Sequence, residues 1–314
     1  MCALTRKALV EHAIQFKNPP RPPICVQGSR IGFSDVLTYD LSLPDETDPT
    51  LSEWGFVRKH SAEGRWLVPK EPVLDAWKDV DNYRLPPLNL NRRFSRISQA
   101  ARVCGDRYRL AKFGLSGYSI YSALRGARWS SEDFLRDTDR FQEFMEKIVE
   151  FETSLLDHIA RKGFHGVEFN DDWGPRKTSR LTLSLWRVVL RDMYAQQIKR
   201  AKDLGLQVWF ATSDECVEFF GDLHQMGVDV VTVSSPGTLE VSALGRLHRS
   251  RVTFATRVDE LYDPQDPEGS AVQIRNVREC LGVLTGGFIA TIGATADDQK
   301  IRAIFDVVKE FKNA

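Results

Sequence analysis

Two adjacent carboxylates, Asp171 and Asp172, are the groups in this chain best suited to acid–base or ligand-binding chemistry. They close the stretch Gly163-Phe-His-Gly-Val-Glu-Phe-Asn-Asp-Asp-Trp-Gly174, in which an apolar run through Val167 and Phe169 leads to Asn170, the two acids, Trp173 and a glycine. In a parallel α/β protein such a turn lies at the carboxyl end of the sheet, where these folds build their sites. Neighbouring acids repel, so the pair predicts one carboxyl with a raised pKa, or a site for a cationic or N–H-rich ligand. A helix-capping turn accounts for the same residues, with Asp as the cap and Gly for the bend.

Other predicted strands also end in polar residues: Gln27, Ser29 and Arg30; Thr212, Ser213, Asp214 and Glu215; Ser234 and Ser235; Thr256, Arg257 and Asp259; Thr291 and Thr295. Convergence from several strands is what a pocket at the carboxyl face requires. Singly, many of them suit helix caps, Ser213, Asp214 and Asp297 above all. Arg257 beside Asp259 suits a bidentate grip on a substrate carboxylate, and equally an internal salt bridge. Trp173, with Trp54 and Tyr118, reads as the wall of a cavity for a flat ligand, or as core. Of the histidines, only His60 in a hairpin loop could reach a site. No Ser/His/Asp order, phosphate loop or dinucleotide fingerprint is present, and Gly286-Gly287 lacks the helix-opening context of one.

The elements that must hold these residues follow from periodicity. Residues 4–17 predict an amphipathic helix, Asn18-Pro-Pro-Arg-Pro-Pro23 breaks it, and Pro23–Gln27 is a first buried strand. Residues 33–43 read as helix or loop. Phe56–Lys59 and Arg65–Pro69 read as a hairpin, and 91–104 as a helix. From Tyr108 onward strands and helices alternate: strands at 108–113, 166–170, 206–211, 228–233, 252–255 and 287–292; helices at 118–125, 131–162, 183–204, 214–226, 238–248, 270–284 and 297–312. Gly163 ends the long helix. Strictly alternating, Pro-free apolar strands indicate a parallel sheet covered on both faces. Seven strands are counted where a closed barrel needs eight, and the expected place for the eighth is near 115–122.

The totals suit a soluble globular chain: 314 residues, 42% hydrophobic and 27% charged, without a recognisable linker or low-complexity segment. Lys+Arg and Asp+Glu are 43 each, so no net field favours nucleic acid or an anionic membrane. The five cysteines (Cys2, Cys25, Cys104, Cys216, Cys280) are scattered and show no zinc spacing, which fits free thiols in a reducing cytoplasm. No apolar run approaches a membrane span or signal peptide. The expectations are a cytoplasmic protein with a small-molecule substrate and no nucleic-acid or membrane partner, without metal or cofactor.

Phe169-Asn-Asp-Asp-Trp-Gly174, followed by Ser184-Leu-Trp-Arg187 and Tyr194, resembles the uroporphyrinogen decarboxylase superfamily, many members of which read "DDWGxQ … SPxxWR … Y" there. The likeness runs almost end to end. It takes in Arg21-Pro-Pro-Ile, Glu53-Trp-Gly55, Pro72-Val-Leu-Asp-Ala-Trp77, Leu124-Arg-Gly126, Lys202–Val208, Gly227-Val-Asp-Val, Thr253–Asp259 and Gly286-Gly-Phe-Ile289. The resemblance implies a single (β/α)8 TIM barrel over 1–314 with N-terminal helix and hairpin additions, often dimeric, with a deep pocket at the carboxyl face. Two chemistries are known there: cofactor-free decarboxylation of tetrapyrrole acetates, and zinc-assisted methyl transfer to or from a thiol or corrinoid.

The departures bear on which chemistry applies. Where the family carries an arginine-rich "RQAGR", this chain has Gln27-Gly-Ser-Arg-Ile-Gly32, with one arginine. Phe33-Ser-Asp-Val-Leu37 matches the family's "F-S-D-I-L", whose aspartate accepts pyrrole N–H bonds, but lies much closer to the first strand. The late histidine has no counterpart in Thr291–Thr295, and the His-x-Cys of the methyltransferase branch has none in Phe210–Cys216. The reading is decarboxylase-type chemistry on a carboxylated small molecule other than uroporphyrinogen. Asp171 or Asp172 would be catalytic, and Arg30, Asp35, Trp54, Asn170, Trp173, Asp214 and Arg257 would bind substrate. The alternatives are a methyltransferase linked to a thiol or a corrinoid protein, and a barrel that binds a metabolite without catalysis.

Overall fold

Short apolar strands and amphipathic helices assemble around one sheet in the computed structural model, which describes residues 4–27, 31–58, 71–95, 97, 105–173, 181–233, 236 and 240–311. In chain order come α1 (Arg6–Ile14), β1 (Ile24–Val26), β2 (Val36–Asp40), α2 (Trp77–Asn82), α3 (Leu90–Phe94), β3 (Tyr108–Lys112), α4 (Gly117–Ser130), α5 (Asp133–Arg136) and α6 (Thr138–Arg161). There follow β4 (Gly166–Asn170), α7 (Leu183–Val189), α8 (Arg191–Asp203), β5 (Gln207–Thr212), α9 (Phe220–Met226) and β6 (Val230–Val233). The chain closes with α10 (Val241–His248), β7 (Thr253–Arg257), α11 (Pro267–Leu281), β8 (Phe288–Ile292) and α12 (Asp298–Glu310). The eight strands run in the order β1-β8-β7-β6-β5-β4-β3-β2 with parallel neighbours, a (β/α)8 barrel.

The eighth strand is β2, not a segment near 115–122, which instead opens α4. Val36-Leu-Thr-Tyr is strand-prone, but among the described residues between it and β1 the one element is a 3-10 turn at Ile31–Phe33, where a crossover helix is the usual signal. In the first arm of the expected hairpin, Val57 makes an antiparallel bridge to Leu51, which lies before that arm. Its second arm and His60 lie outside the described residues.

β1 and β2, the two ends of the strand order, are joined by one backbone bond and by side chains. Asp35 N–H donates to Ile24 O at 2.8 Å, and Asp35 Oδ2 accepts from Ile24 N–H at 2.8 Å. Ser34 Oγ accepts from Val26 N–H at 3.0 Å, and Arg21 grips Asp35 with two bonds of 2.7 and 2.9 Å. Asp35→Asn is expected to cost about 1–3 kcal/mol in urea unfolding, because an amide nitrogen would face donors. An unchanged midpoint would show that the seam does not need this carboxylate.

Strand alternation sorts the core into two volumes. Val167, Phe169, Val208, Phe210, Val231 and Phe254 point out and pack under the helices. Cys25, Val36, Tyr108, Leu110, Trp209, Val230, Ala255 and Ile289 fill the barrel, closed at its amino end by Val10 and Ile14 of α1. In α6 the predicted stripe (Phe141, Phe144, Ile148, Phe151, Leu155, Ile159) is buried. Gly163, at φ +75°, then turns the chain into β4.

Candidate functional site

Alternation continues past the end of β4 and sends the two acids to different places. Val167 and Phe169 face outward, so Asp171 and Trp173 do too, while Glu168, Asn170 and Asp172 alternate inward. Asp171 is fully buried. Its Oδ1 accepts from the N–H groups of Ser119 (2.7 Å) and Asp172 (2.8 Å). Its Oδ2 accepts from Tyr118 N–H (2.9 Å), Trp173 Nε1 (3.1 Å) and the Tyr194 hydroxyl. Burial pushes its pKa from 3.8 up to about 6, against the pull of these bonds. A raised carboxyl was expected here, but its cause is desolvation and not repulsion by Asp172. Trp173 is also buried, packed between Trp186, Tyr194, Phe210 and Phe219, so it belongs to the core beneath the helices.

What Asp171 secures is the start of α4. The first N–H groups of a helix lack partners within it. Here Tyr118 and Ser119 donate to Asp171, and Gly117 N–H donates to Glu152 of α6 at 3.3 Å. Gly117 sits at φ +43°, and a Cβ there would lie 2.7 Å from Asp171 Oδ2 and inside the Tyr194 hydroxyl, so no other residue fits. Glu152 is itself fully buried, and desolvation lifts its carboxyl from 4.5 to about 8. The native state therefore holds a proton that the unfolded chain releases, and stability falls as pH rises from about 4.5 to about 8. Glu152→Gln is expected to flatten that fall and raise stability at pH 8, read from urea midpoints between pH 5 and 9. A pH profile identical to that of the parent would exclude Glu152 as its source. Gln197 Nε2 donates to Glu152 at 2.9 Å while Gln197 Oε1 has no partner among the described residues. Turning that amide over would let Oε1 accept the proton of a neutral Glu152.

Asp172, half-buried just past the carboxyl end of β4, is the acid in inward phase. Ser213 Oγ donates to its Oδ1 at 2.7 Å, and Cys216 Sγ lies 3.4 Å from the same oxygen. Burial first, and Asp172 second, push the Cys216 thiol up, so it stays protonated and donates. Both partners come from the carboxyl end of β5 and the 3-10 turn Asp214–Phe219.

Below the mouth, the upper barrel interior is polar. Lys112 of β3 and Glu168 of β4 stand opposite each other in register, with Nζ 2.7 Å from Oε1. Thr232 of β6 donates to Glu168 Oε2 at 3.4 Å. Burial alone would lower the Lys112 pKa, but the Glu168 carboxylate outweighs it and lifts the ammonium above its usual value. Glu168 falls within the stretch 163–174 that the sequence marks out, whereas Lys112 is not among the residues read from it. Its signal was a cation in inward phase with Tyr108 and Leu110.

The other candidates divide. Arg257, at the carboxyl end of β7, is clamped by Asp259 through bonds of 2.7 and 2.8 Å, the internal salt bridge weighed above. Asn170 Nδ2 donates to Gly114 O at 2.6 Å and fixes the loop after β3. Asp35 lies at the amino end of β2, away from the carboxyl face, because it belongs to the seam. Trp54 is buried in the β2–β3 connection, edge-on to Phe151, and borders a shallow recess with Ser42, Phe56 and Leu115. Asp214 begins the turn after β5, and Arg30 lies outside the described residues. Among the described residues no group of three or more His, Cys, Asp or Glu is placed to hold a metal ion, and no helix is long and apolar enough to cross a membrane.

No family model matches the chain, and no curated protein sequence matches it significantly. Among solved structures it is similar to a methyltransferase from Methanosarcina mazei, with TM-score 0.68 at 11% identity over 98% of this chain and 99% of that one. It is also similar to GH26A from Muricauda sp. MAR_2010_75, with TM-score 0.50 at 8% identity over 98% and 95%. At such identities the likeness establishes the barrel.

Proposed function

We propose that this chain is a one-domain enzyme of the uroporphyrinogen decarboxylase superfamily that acts on a carboxylated small molecule by decarboxylase-type chemistry. The observation that carries the reading is Asp172: of the two adjacent acids it alone turns to the barrel mouth, held by Ser213 and Cys216. Loss of CO2 leaves an electron pair on carbon, and that carbon must take a proton. Asp172 would relay that proton or hold substrate N–H groups as charge develops. Arg257, whose Nε and Nη2 serve Asp259, would offer its remaining N–H groups to a carboxylate. Asp171 serves as a positioning residue for α4 and the turn that bears Asp172.

Asp172→Asn is expected to lower turnover about 100-fold or more while the protein stays folded, in keeping with the loss of one acid–base group. The substrate is to be identified by mass spectrometry of molecules that co-purify with the barrel. Full activity in Asp172→Asn would sink the reading. A second reading, methyl transfer, is supported by the full-length likeness to the M. mazei methyltransferase and by the Cys216 thiol in the turn after β5. A stoichiometric bound metal, or a corrinoid protein that co-purifies, would favour it.

A further inference from the structure

Barrel interiors of this class are ordinarily filled with layers of branched apolar side chains, as the lower half is here. The upper half departs from that without structural need: a buried ion pair stabilises no better than apolar residues of its size. Lys112 and Glu168 meet at 2.7 Å, and their side chains are 23% and 4% exposed, so the pair is open to the mouth on the lysine side. Thr291 of β8, in inward phase with Ile289, is 3% exposed, and its hydroxyl has no partner among the described residues. In register it lies beside Cys25 of β1 and Arg257 of β7, and Cys25 is close enough to feel both Lys112 and Glu168.

We propose that this throat takes the head of a zwitterionic amino-carboxylate, with Lys112 and Thr291 binding its carboxylate and Glu168 its ammonium. The inference rests on the carboxyl face being the site and names the ligand class that site accepts. Nζ has three donors and meets Glu168 through one oxygen, as an ion pair at 2.7 Å, so an entering carboxylate has donors to meet. A ligand with charge of only one sign would leave Glu168 or Lys112 buried beside it without an opposite charge. A zwitterion exchanges one internal pair for two matched pairs and leaves the charge of the throat unchanged.

The test is isothermal titration calorimetry on the full chain at pH 7 and low salt, with glycine, β-alanine and 4-aminobutyrate against propionate and propylamine. At least one zwitterion is expected to bind tenfold or more tightly than either singly charged compound. Lys112→Met and Glu168→Gln should each remove that preference. Thr291→Val, which leaves the ion pair intact, should weaken zwitterion binding several-fold and guards against misfolding of the charge variants. Propionate or propylamine binding as tightly as every zwitterion, or Thr291→Val and Lys112→Met binding like the parent, would overturn the proposal. Asp172→Asn separates the two readings: zwitterion binding with unaltered turnover sinks the catalytic role of Asp172 alone. Turnover of a substrate without an amino group sinks the throat assignment alone.

Discussion

Asp171→Ala is expected to lower the free energy of unfolding by about 3–5 kcal/mol in urea at pH 7, because it strips a common acceptor from several buried donors at once. Two backbone N–H groups of α4, the N–H of Asp172, the Trp173 indole and the Tyr194 hydroxyl all converge on its two oxygens. Asp171→Asn should be nearly as costly. Both oxygens accept backbone N–H groups, so either orientation of the amide sets a donor against donors. The neighbouring Asp172→Asn should stay within about 1 kcal/mol of the parent, as expected for a half-exposed group. The contrast is the test: two adjacent aspartates, one decisive for folding and the other for turnover. Equal losses of stability would mean that alternation does not separate them.

Asp133→Ala should also cost about 3–5 kcal/mol, since it leaves the Arg125 guanidinium buried without its carboxylate. The Arg125 and Asp133 side chains are 1% and 3% exposed, with bonds of 2.8 and 3.1 Å between them. Arg125 also donates to the carbonyls of Leu74 and Asp75, at 2.6 and 3.0 Å. Its guanidinium lies 4.7 Å from the Trp77 ring and 5.6 Å from that of Trp129, and the Arg140 guanidinium lies 4.6 Å from the Trp77 ring. Val73 and Leu74 N–H both donate to Leu124 O. Pro72–Trp77 and Leu124–Gly126, two segments of the family resemblance, are thus one joint between the β2–β3 connection and α4. Urea midpoints and a red shift of tryptophan emission would report its release. A variant as stable as the parent would show that the carbonyls alone satisfy Arg125.

Much of the fold is legible in the sequence because seven strands are separated by helices or glycine-marked turns that change the hydrophobic period. β2 is not, since β1 and β2 lie too close together for a helix between them. The place of Asp171 and Asp172 at a strand end is legible from the apolar run before them. Their divergence follows only when the outward phase of Val167 and Phe169 is carried two residues beyond the strand. Lys112 escapes because a strand buried on both faces hides its alternation, so a lone cation reads as noise until Glu168 is seen opposite. Arg257 and Asp259, two residues apart, allow both a ligand grip and a mutual bond, and the choice needs the turn that folds one over the other.

The seam between β1 and β2 carries a consequence for how copies of this molecule meet. A barrel closed wholly by backbone pairing offers no strand on which another chain can dock. Here two strand margins persist, and Ser34 and Asp35 take the N–H groups of Val26 and Ile24 in place of a ladder, with Arg21 holding Asp35. Losing those three side chains would bare the margins' donors and acceptors, and the expected outcome is aggregation, read by light scattering, before any loss of the barrel itself.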